Sequence, residues 1–330
     1  MTRTELLHRF LAQNGLDTAE RIALASDASA RTYDRLKQNG KSYILMNAPP
    51  SENPAQFVFI TELLEQAGVH PPHIFAKDLE NGFLLLEDFG DNTFSRLLAQ
   101  GTNELDLYRQ GVQTLITLQQ NIRIPDSGVP IYDAKRMLNG ALFLPNWFGK
   151  YAVPGGLDEQ ATKDFVRIWR PWTERLAKLP QSLVLLDYHA DNLMITPTGK
   201  CGVLDYQDAC VGPATYDLIS LLEDERRDVS ESVRQELIED YFTGRPDIDT
   251  PEMRETLALV AMQRHTRVIG IFMRLYQRDG KSKYLNMIPF VWELVERHLN
   301  EPMFAPYREW IETHIPAHVR HTVFQGEHQQ

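Results

Sequence analysis

The sequence lacks the features that would place it in several broad classes of protein. Its two cysteines, Cys201 and Cys210, match no zinc motif and cannot form the framework of a disulfide-rich secreted domain. No apolar run approaches the ~18 residues of a membrane-spanning helix. Residues 1–15 have helical apolar spacing, not the charged and then apolar segments of a secretion signal. We therefore expect a soluble cytoplasmic protein with reduced thiols.

Positive charge is also in short supply. The chain has 34 Lys and Arg against 45 Asp and Glu, which gives a net charge of −11. This balance argues against nucleic acid or an anionic membrane as the main partner. A phosphate ligand is not excluded, because metal ions and local groups can offset an acidic surface.

The remaining composition is that of a globular protein with two differently patterned parts. Hydrophobic residues make up 43% of the 330 positions, enough for a substantial core in one large domain or two smaller ones. Short strand-like runs dominate residues 20–90, whereas helical spacing dominates after residue 91. These patterns predict an α+β protein with an N-terminal lobe over residues 1–90 and a C-terminal lobe over residues 91–330.

Polar residues separate three short strands in the middle of the chain. Residues 182–186 form an apolar run, and residues 193–196 and 201–204 flank the turn "PTGK". Pairing the last two strands in a hairpin brings Asn192 beside Asp205, because neighbouring strands lie about 5 Å apart. Asp187 precedes Asn192 by five positions in the same loop.

Asp187, Asn192 and Asp205 admit two interpretations. Aspartate and asparagine commonly cap strand ends in ordinary turns. Phosphoryl transfer from ATP needs the same residue types, since one or two protein oxygens hold Mg²⁺ and a carboxylate orients the acceptor hydroxyl. In this second interpretation Asn192 and Asp205 bind Mg²⁺ and Asp187 accepts the proton. The matched hairpin favours it.

The motifs "DYHADNL" and "GVLDYQDACVGPATYDL" resemble the paired signatures of aminoglycoside phosphotransferases, which have a protein-kinase-like fold. The resemblance implies a two-lobed fold with a small β-rich N-terminal lobe and a large helical C-terminal lobe. It also implies that Asp187 is the catalytic base and that Asn192 and Asp205 are metal ligands. Asp217, in "TYDL", matches the aspartate that supports the catalytic loop. ATP and Mg²⁺ are the implied cosubstrate and metal.

The resemblance also places a nucleotide site in the N-terminal lobe. The loop "SDASA" lies between the first two strands, where small residues let backbone N–H groups approach phosphates. Ser26, Ala28 and Ser29 are the candidates there, although a plain hairpin turn would use the same residues. The adenine is expected against the strand "LLLED", near Glu87.

Two positions depart from the family pattern. Leu185 stands where a histidine usually precedes the catalytic aspartate, and that histidine is mainly architectural. Met46 stands where a phosphate-binding lysine is usual. Arg31, Arg35 and Lys41 lie nearby in the sequence and could replace the missing cation, and we take the two arginines as the candidates.

Further segments, including "ILMNAPP" and "LDYQDACVGPATYDLISLLED", resemble bacterial anomeric sugar kinases. These enzymes phosphorylate the C1 hydroxyl of N-acetylmuramate and N-acetylglucosamine during cell-wall recycling, and Met46 fits that subgroup. The weakest match is "NGALFLPNWF", where those kinases have acidic residues and this chain has Asn139, Gly140 and Asn146. If this segment lines the sugar pocket, the acceptor differs.

We therefore expect an ATP-dependent sugar kinase acting at C1 of an N-acetylated amino sugar. The alternative acceptors are another hydroxylated metabolite or an aminoglycoside. A nucleotide-binding pseudokinase is the alternative from another class. Leu185 and Met46 favour it, whereas the retention of Asp187, Asn192 and Asp205 opposes it.

Overall fold

The computed structural model describes residues 1–24, 30–125 and 127–324. The chain divides into two compact units. The N-terminal unit comprises Met1–Arg123 and Ala190–Ala209, and the C-terminal unit comprises Ile124–His189 and Cys210–Gln330. The lobe boundary predicted near residue 90 is not tested by these compact units and stays a prediction. The α+β class is confirmed.

The strands of the described residues are short. In chain order they are β1 (Glu20–Ala23), β2 (Thr32–Gln38), β3 (Lys41–Asn47), β4 (Ile74–Asp78), β5 (Phe83–Glu87), β6 (Gln181–Val184), β7 (Leu193–Ile195), β8 (Cys201–Val203) and β9 (Cys210–Pro213). The first five form an antiparallel sheet in the order β1-β2-β3-β5-β4, and β7–β8 and β6–β9 form two separate antiparallel pairs.

Helices make up most of the remaining structure. They are α1 (Arg3–Gln13), α2 (Pro54–Gln66), α3 (Phe94–Ala99), α4 (Glu104–Asn121), α5 (Ala134–Ala141), α6 (Lys150–Ala152), α7 (Glu159–Leu176), α8 (Tyr216–Leu222), α9 (Glu231–Gly244), α10 (Pro251–Glu255), α11 (Leu257–Asp279), α12 (Ile288–His298), α13 (Ala305–His314) and α14 (Ala317–Arg320). A π-helical turn over Leu144–Gly149 precedes α6. In the part of the chain that the structure describes, no helix combines the length and apolarity that crossing a membrane requires.

The sheet of the N-terminal unit is stabilised by a core that the sequence pattern explains. Leu36, Leu45 and Leu85 come from β2, β3 and β5 and pack with Phe10 and Leu11 of α1. Burying one such side chain contributes about 1.5–3 kcal/mol. The central strands of the sheet are thereby fixed, and with them the positions of the polar residues at their ends.

Helix α11 is the central packing element of the C-terminal unit. It is 23 residues long and packs against α5, α8, α12 and the π-helical turn. Its end is determined by Gly280, whose φ of +69° favours glycine, and whose N–H donates to the carbonyl of Tyr276. The segment "RDGK", residues 278–281, thus terminates the helix.

Candidate active site

The β7–β8 hairpin of the N-terminal unit places both candidate metal ligands at one end. Leu193 pairs with Val203, and the N–H of Leu204 donates to the carbonyl of Asn192 over 2.9 Å. Asn192 therefore lies just before β7, and Asp205 lies just after β8, as the sequence predicted. Asp205 is exposed and has a left-handed φ of +56°. Its Oδ1 accepts a hydrogen bond of 2.8 Å from Gln207 Nε2.

Tyr33 links Asp205 to Arg31 within the same unit. The pKa of Tyr33 is raised, mainly because the side chain is buried. The neighbouring Arg31, which hydrogen-bonds to Tyr33, lowers this pKa, and the Asp205 carboxylate raises it. Arg31 is itself almost fully buried, and its Nε lies 3.4 Å from Glu52 Oε2. A cation and a candidate metal ligand are therefore both electrostatic neighbours of one phenol.

The position of the missing lysine is an apolar one. Met46 is fully buried and lies opposite Tyr33 on β2 and Leu84 on β5. A charged side chain at this depth would need a buried partner, because desolvating an unpaired charge is costly. Methionine instead fills the space without any such requirement.

The second candidate cation, Arg35, is held by carboxylates. Its Nε lies 2.7 Å from Asp88 Oδ2, and its Nη1 lies 2.9 Å from Asp91 Oδ1. Its Nη2 also donates to the carbonyl of Gly90. These contacts connect β2 to the segment after β5. The two carboxylates also neutralise much of the positive charge with which Arg35 would attract a phosphate.

Glu87 stands at the end of β5 with two histidine neighbours. Its Oε2 lies 3.0 Å from His70 Nε2 and accepts a bond of 3.3 Å from the N–H of His73. Its own N–H donates to the carbonyl of His73. The backbone beyond β5 is therefore fixed by side-chain as well as main-chain bonds.

Asp187 and Asp217 belong to the C-terminal unit. The buried Asp217 carboxylate accepts hydrogen bonds from the N–H groups of Leu185 and Leu186, over 2.6 and 3.0 Å. Leu186 has a φ of +70°, a conformation that non-glycine residues adopt at a cost. Asp217 thus stabilises a strained turn immediately before the half-buried Asp187. Burial raises the pKa of Asp217 to about 7, although the two backbone bonds oppose this shift.

A half-buried arginine that was not among the sequence candidates interacts with Asp187. Arg267, on α11, interacts electrostatically with Asp187, Tyr132 and Tyr216. Burial lowers the pKa of Arg267, but these neighbours outweigh burial and raise it. Arg267 therefore stays charged and attracts the Asp187 carboxylate.

The candidate residues fall into two groups. Asn192 and Asp205 meet on one hairpin of the N-terminal unit, and Asp187 and Asp217 meet in the C-terminal unit. Ser26, Ala28 and Ser29 lie outside the described residues. Tyr33 and Arg267 were not among the candidates, since only the folded chain brings position 33 near 205 or position 267 near 187.

Two solved kinase structures align with most of this chain. An ADP-bound aminoglycoside phosphotransferase, APH(2'')-Ib, aligns with a TM-score of 0.61 and 17% identity over 91% of this chain and 98% of its own. The choline kinase LicA from Streptococcus pneumoniae aligns with a TM-score of 0.61 and 13% identity over 92% of this chain and 99% of its own. The kinase-like fold expected from the motifs is confirmed.

Sequence comparison identifies nearer relatives. The N-acetylmuramate/N-acetylglucosamine kinase of Pseudomonas aeruginosa is 34% identical over 84% of this chain and 83% of its own. The protein of the same name from Caulobacter vibrioides is 28% identical over 94% of this chain and 96% of its own. Residues 20–255, more than half of the chain, match the phosphotransferase enzyme family. The chain therefore belongs to the phosphotransferase enzyme family.

Proposed function

We propose that the protein is an ATP-dependent kinase that transfers the γ-phosphoryl group to the C1 hydroxyl of N-acetylmuramate or N-acetylglucosamine. The observation that carries the proposal is the set of relatives bearing the name N-acetylmuramate/N-acetylglucosamine kinase, which cover at least four fifths of this chain. Because ATP is a cytoplasmic metabolite, we place the reaction in the cytoplasm.

The acceptor chemistry belongs to Asp187. In the proposed reaction its carboxylate takes the C1 hydroxyl proton, the oxygen forms a bond to the γ-phosphorus, and ADP leaves. Asp217 supports this role because it fixes the backbone before Asp187. Arg267 supports it as well, since a neighbouring cation favours the ionised form of Asp187 that a base requires.

The nucleotide and metal chemistry belongs to the N-terminal unit. The Asn192 amide oxygen and the exposed Asp205 carboxylate are hard oxygen donors at one end of a hairpin, and this donor set fits Mg²⁺. The ion would neutralise charge on the phosphates during transfer. We propose that the adenine lies near Glu87 and that the phosphates lie near Ser26, Ala28 and Ser29.

We expect the product of the reaction to be an anomeric sugar phosphate. Incubation with ATP, Mg²⁺ and either amino sugar should yield stoichiometric ADP and a phosphorus NMR signal coupled to the anomeric proton. An enzyme without acceptor should release ADP only slowly. Stimulation by an aminoglycoside or another metabolite, but by neither amino sugar, would replace the proposed acceptor. No stimulated turnover and intact ATP binding would support a pseudokinase.

Replacing Arg31 with alanine should raise the Michaelis constant for ATP by about tenfold, the effect of losing one charge-assisted hydrogen bond to phosphate. Arg31 supports this role because Tyr33 connects it electrostatically to Asp205. Arg35→Ala should have a smaller effect, since Asp88 and Asp91 already neutralise Arg35.

Steady-state kinetics at saturating sugar measures both effects. Met46→Ala should alter the ATP constant less than Arg31→Ala, because it removes packing rather than charge. Arg21→Ala, on β1, serves as a control for loss of a partly exposed arginine with one ion pair. If the ATP constant is unchanged in both Arg31→Ala and Arg35→Ala, neither arginine replaces the lysine.

A further inference from the structure

Helix α11 has two arginines on one face, and one of them interacts with the candidate catalytic base. Gln263, Arg267, Gly270 and Arg274 follow one another at spacings of four, three and four residues, so they share one face of the helix. Arg267 and Arg274 are seven residues apart, which separates their backbone positions by about 10 Å along the axis. Arg267 interacts with Asp187. Arg274 is therefore the next arginine along this face from the base.

This face packs against the segment that begins in α5 and ends in the π-helical turn. A Cβ on Gly270 would lie 2.1 Å from the Phe143 carbonyl carbon, so the two backbones are in direct contact. A Cβ on Gly140 would lie 3.1 Å from Arg267 Cδ. The Arg274 guanidinium lies 5.1 Å from the centre of the Phe143 ring. Residues 139–148, NGALFLPNWF, contribute no acidic side chain to this contact.

Arg274 is a cation without a carboxylate at ion-pair distance among residues 1–24, 30–125 and 127–324. The nearest acidic residue in sequence, Asp279, is engaged by Arg278 in two bonds of 2.7 and 2.8 Å. Burial lowers the pKa of Arg274, as do Arg278 and Arg267, against the attraction of Asp279. Cations held together in this way favour binding of an anion.

Of the two proposed acceptors, only N-acetylmuramate has an anionic group. Its lactyl group, which carries a carboxylate, is joined through an ether oxygen to C3, two ring atoms from the C1 carbon whose hydroxyl Asp187 would deprotonate. A planar guanidinium about two turns along α11 from Arg267 suits such a group, because arginine can donate two parallel hydrogen bonds to a carboxylate.

We propose that Arg274 binds the lactyl carboxylate of the acceptor and makes N-acetylmuramate the preferred substrate over N-acetylglucosamine. This inference rests on the proposed function. Arg274 is then a specificity-determining residue, whereas Arg267 interacts with the base itself. The uncharged sugar provides an internal control, since it lacks the group that Arg274 would bind.

The test is the ratio of kcat/KM for the two sugars in the wild-type protein and in two variants. Arg274→Met keeps the length of the side chain and its contact with Phe143 but removes the charge. It should lower kcat/KM for N-acetylmuramate by about 10- to 100-fold, as expected for a lost charge-assisted hydrogen bond. The value for N-acetylglucosamine should change less than about twofold. Arg274→Lys should restore part of the preference, because it restores the charge without the paired donors.

Arg167→Met, at an exposed position of α7 in the same unit, is the control for loss of an arginine with one ion pair and should leave both sugars unaffected. An equal loss for both sugars in Arg274→Met would show a structural role, and an unchanged ratio would remove Arg274 from acceptor recognition. A rise in the ATP Michaelis constant alone would assign the anion to the nucleotide. Each of these results overturns the inference.

A calorimetric titration with N-acetylmuramate separates this inference from the proposed function. If neither sugar is phosphorylated, the proposed function fails. The inference then stands only if N-acetylmuramate binds the wild-type protein and binds Arg274→Met at least about tenfold more weakly. Absent or equal binding contradicts it.

Discussion

Replacing Asp187 with asparagine should lower the turnover number by about 10²–10⁴, the usual contribution of a positioned general base. Asparagine keeps the shape of the side chain but cannot accept the hydroxyl proton. Mg·ATP should still bind nearly as well, because the base contacts the sugar and not the phosphates. The expected signature is a large fall in kcat with little change in calorimetric Mg·ATP affinity.

Replacing Asp205 with asparagine should, by contrast, lower the affinity for Mg·ATP. Loss of the carboxylate charge should weaken Mg²⁺ and therefore Mg·ATP, since the ion bridges protein and phosphates. Asp208→Asn is a matched control, because Asp208 is an exposed aspartate three positions later in the same loop. Equal losses of nucleotide affinity in the Asp187 and Asp205 variants would show that the two roles are wrongly assigned. Full activity of Asp187→Asn would remove that residue from the mechanism.

The hairpin that positions Asn192 and Asp205 could be predicted from the sequence because its signals are local. Two short β-prone runs flank a four-residue turn with Gly199, whose φ is +79°. The cap of α2 is local too, because asparagine followed by proline is a typical helix start. Asn53 Oδ1 accepts from the N–H of Gln56, and Pro54 occupies the first helical position.

Other features depend on contacts that a linear pattern does not contain. The apolar spacing of residues 253–276 predicts one continuous helix, but α10 and α11 are separate. Thr256 lies at the break, and its hydroxyl donates to the carbonyls of Glu252 and Met253. The helical spacing predicts that Arg267 and Arg274 share one face of α11, but it does not predict that this face packs on Gly140 and Phe143. Similarly, the sequence pattern does not predict that Tyr33 lies near Asp205, which is more than 170 positions away.

The C-terminal unit also has a buried charge cluster at the end of α8, the helix that contains Asp217. Glu223 Oε2 lies 2.8 Å from His265 Nε2 and 3.0 Å from His298 Nε2. Burial alone would raise the pKa of Glu223, but the hydrogen bonds from both histidines outweigh burial and lower it. Burial would lower the pKa of His298, yet its bonds with Glu223 raise it. For His265 burial prevails, and its pKa is lowered.

These shifts determine how the cluster contributes to stability at different pH. The His298 contribution is complete below the ordinary histidine pKa of 6.5 and is lost as pH rises through its higher folded pKa. The Glu223 contribution is complete above the ordinary glutamate pKa of 4.5 and is lost as pH falls through its lower folded pKa. The pair therefore stabilises the folded state most between pH 4.5 and pH 6.5.

Replacing Glu223 with glutamine should lower the free energy of unfolding by about 3–5 kcal/mol, the cost of removing one partner of a buried ion pair. Urea unfolding should show a larger loss at about pH 6 than at about pH 8.5, because the wild-type protein has already lost the His298 contribution at the higher pH. Glu312→Gln, at an exposed position of α13, controls for the loss of a surface charge. A loss that is the same at both pH values would contradict an ionic role for the Glu223–His298 pair, and a loss below about 1 kcal/mol would place the pair among exposed ion pairs.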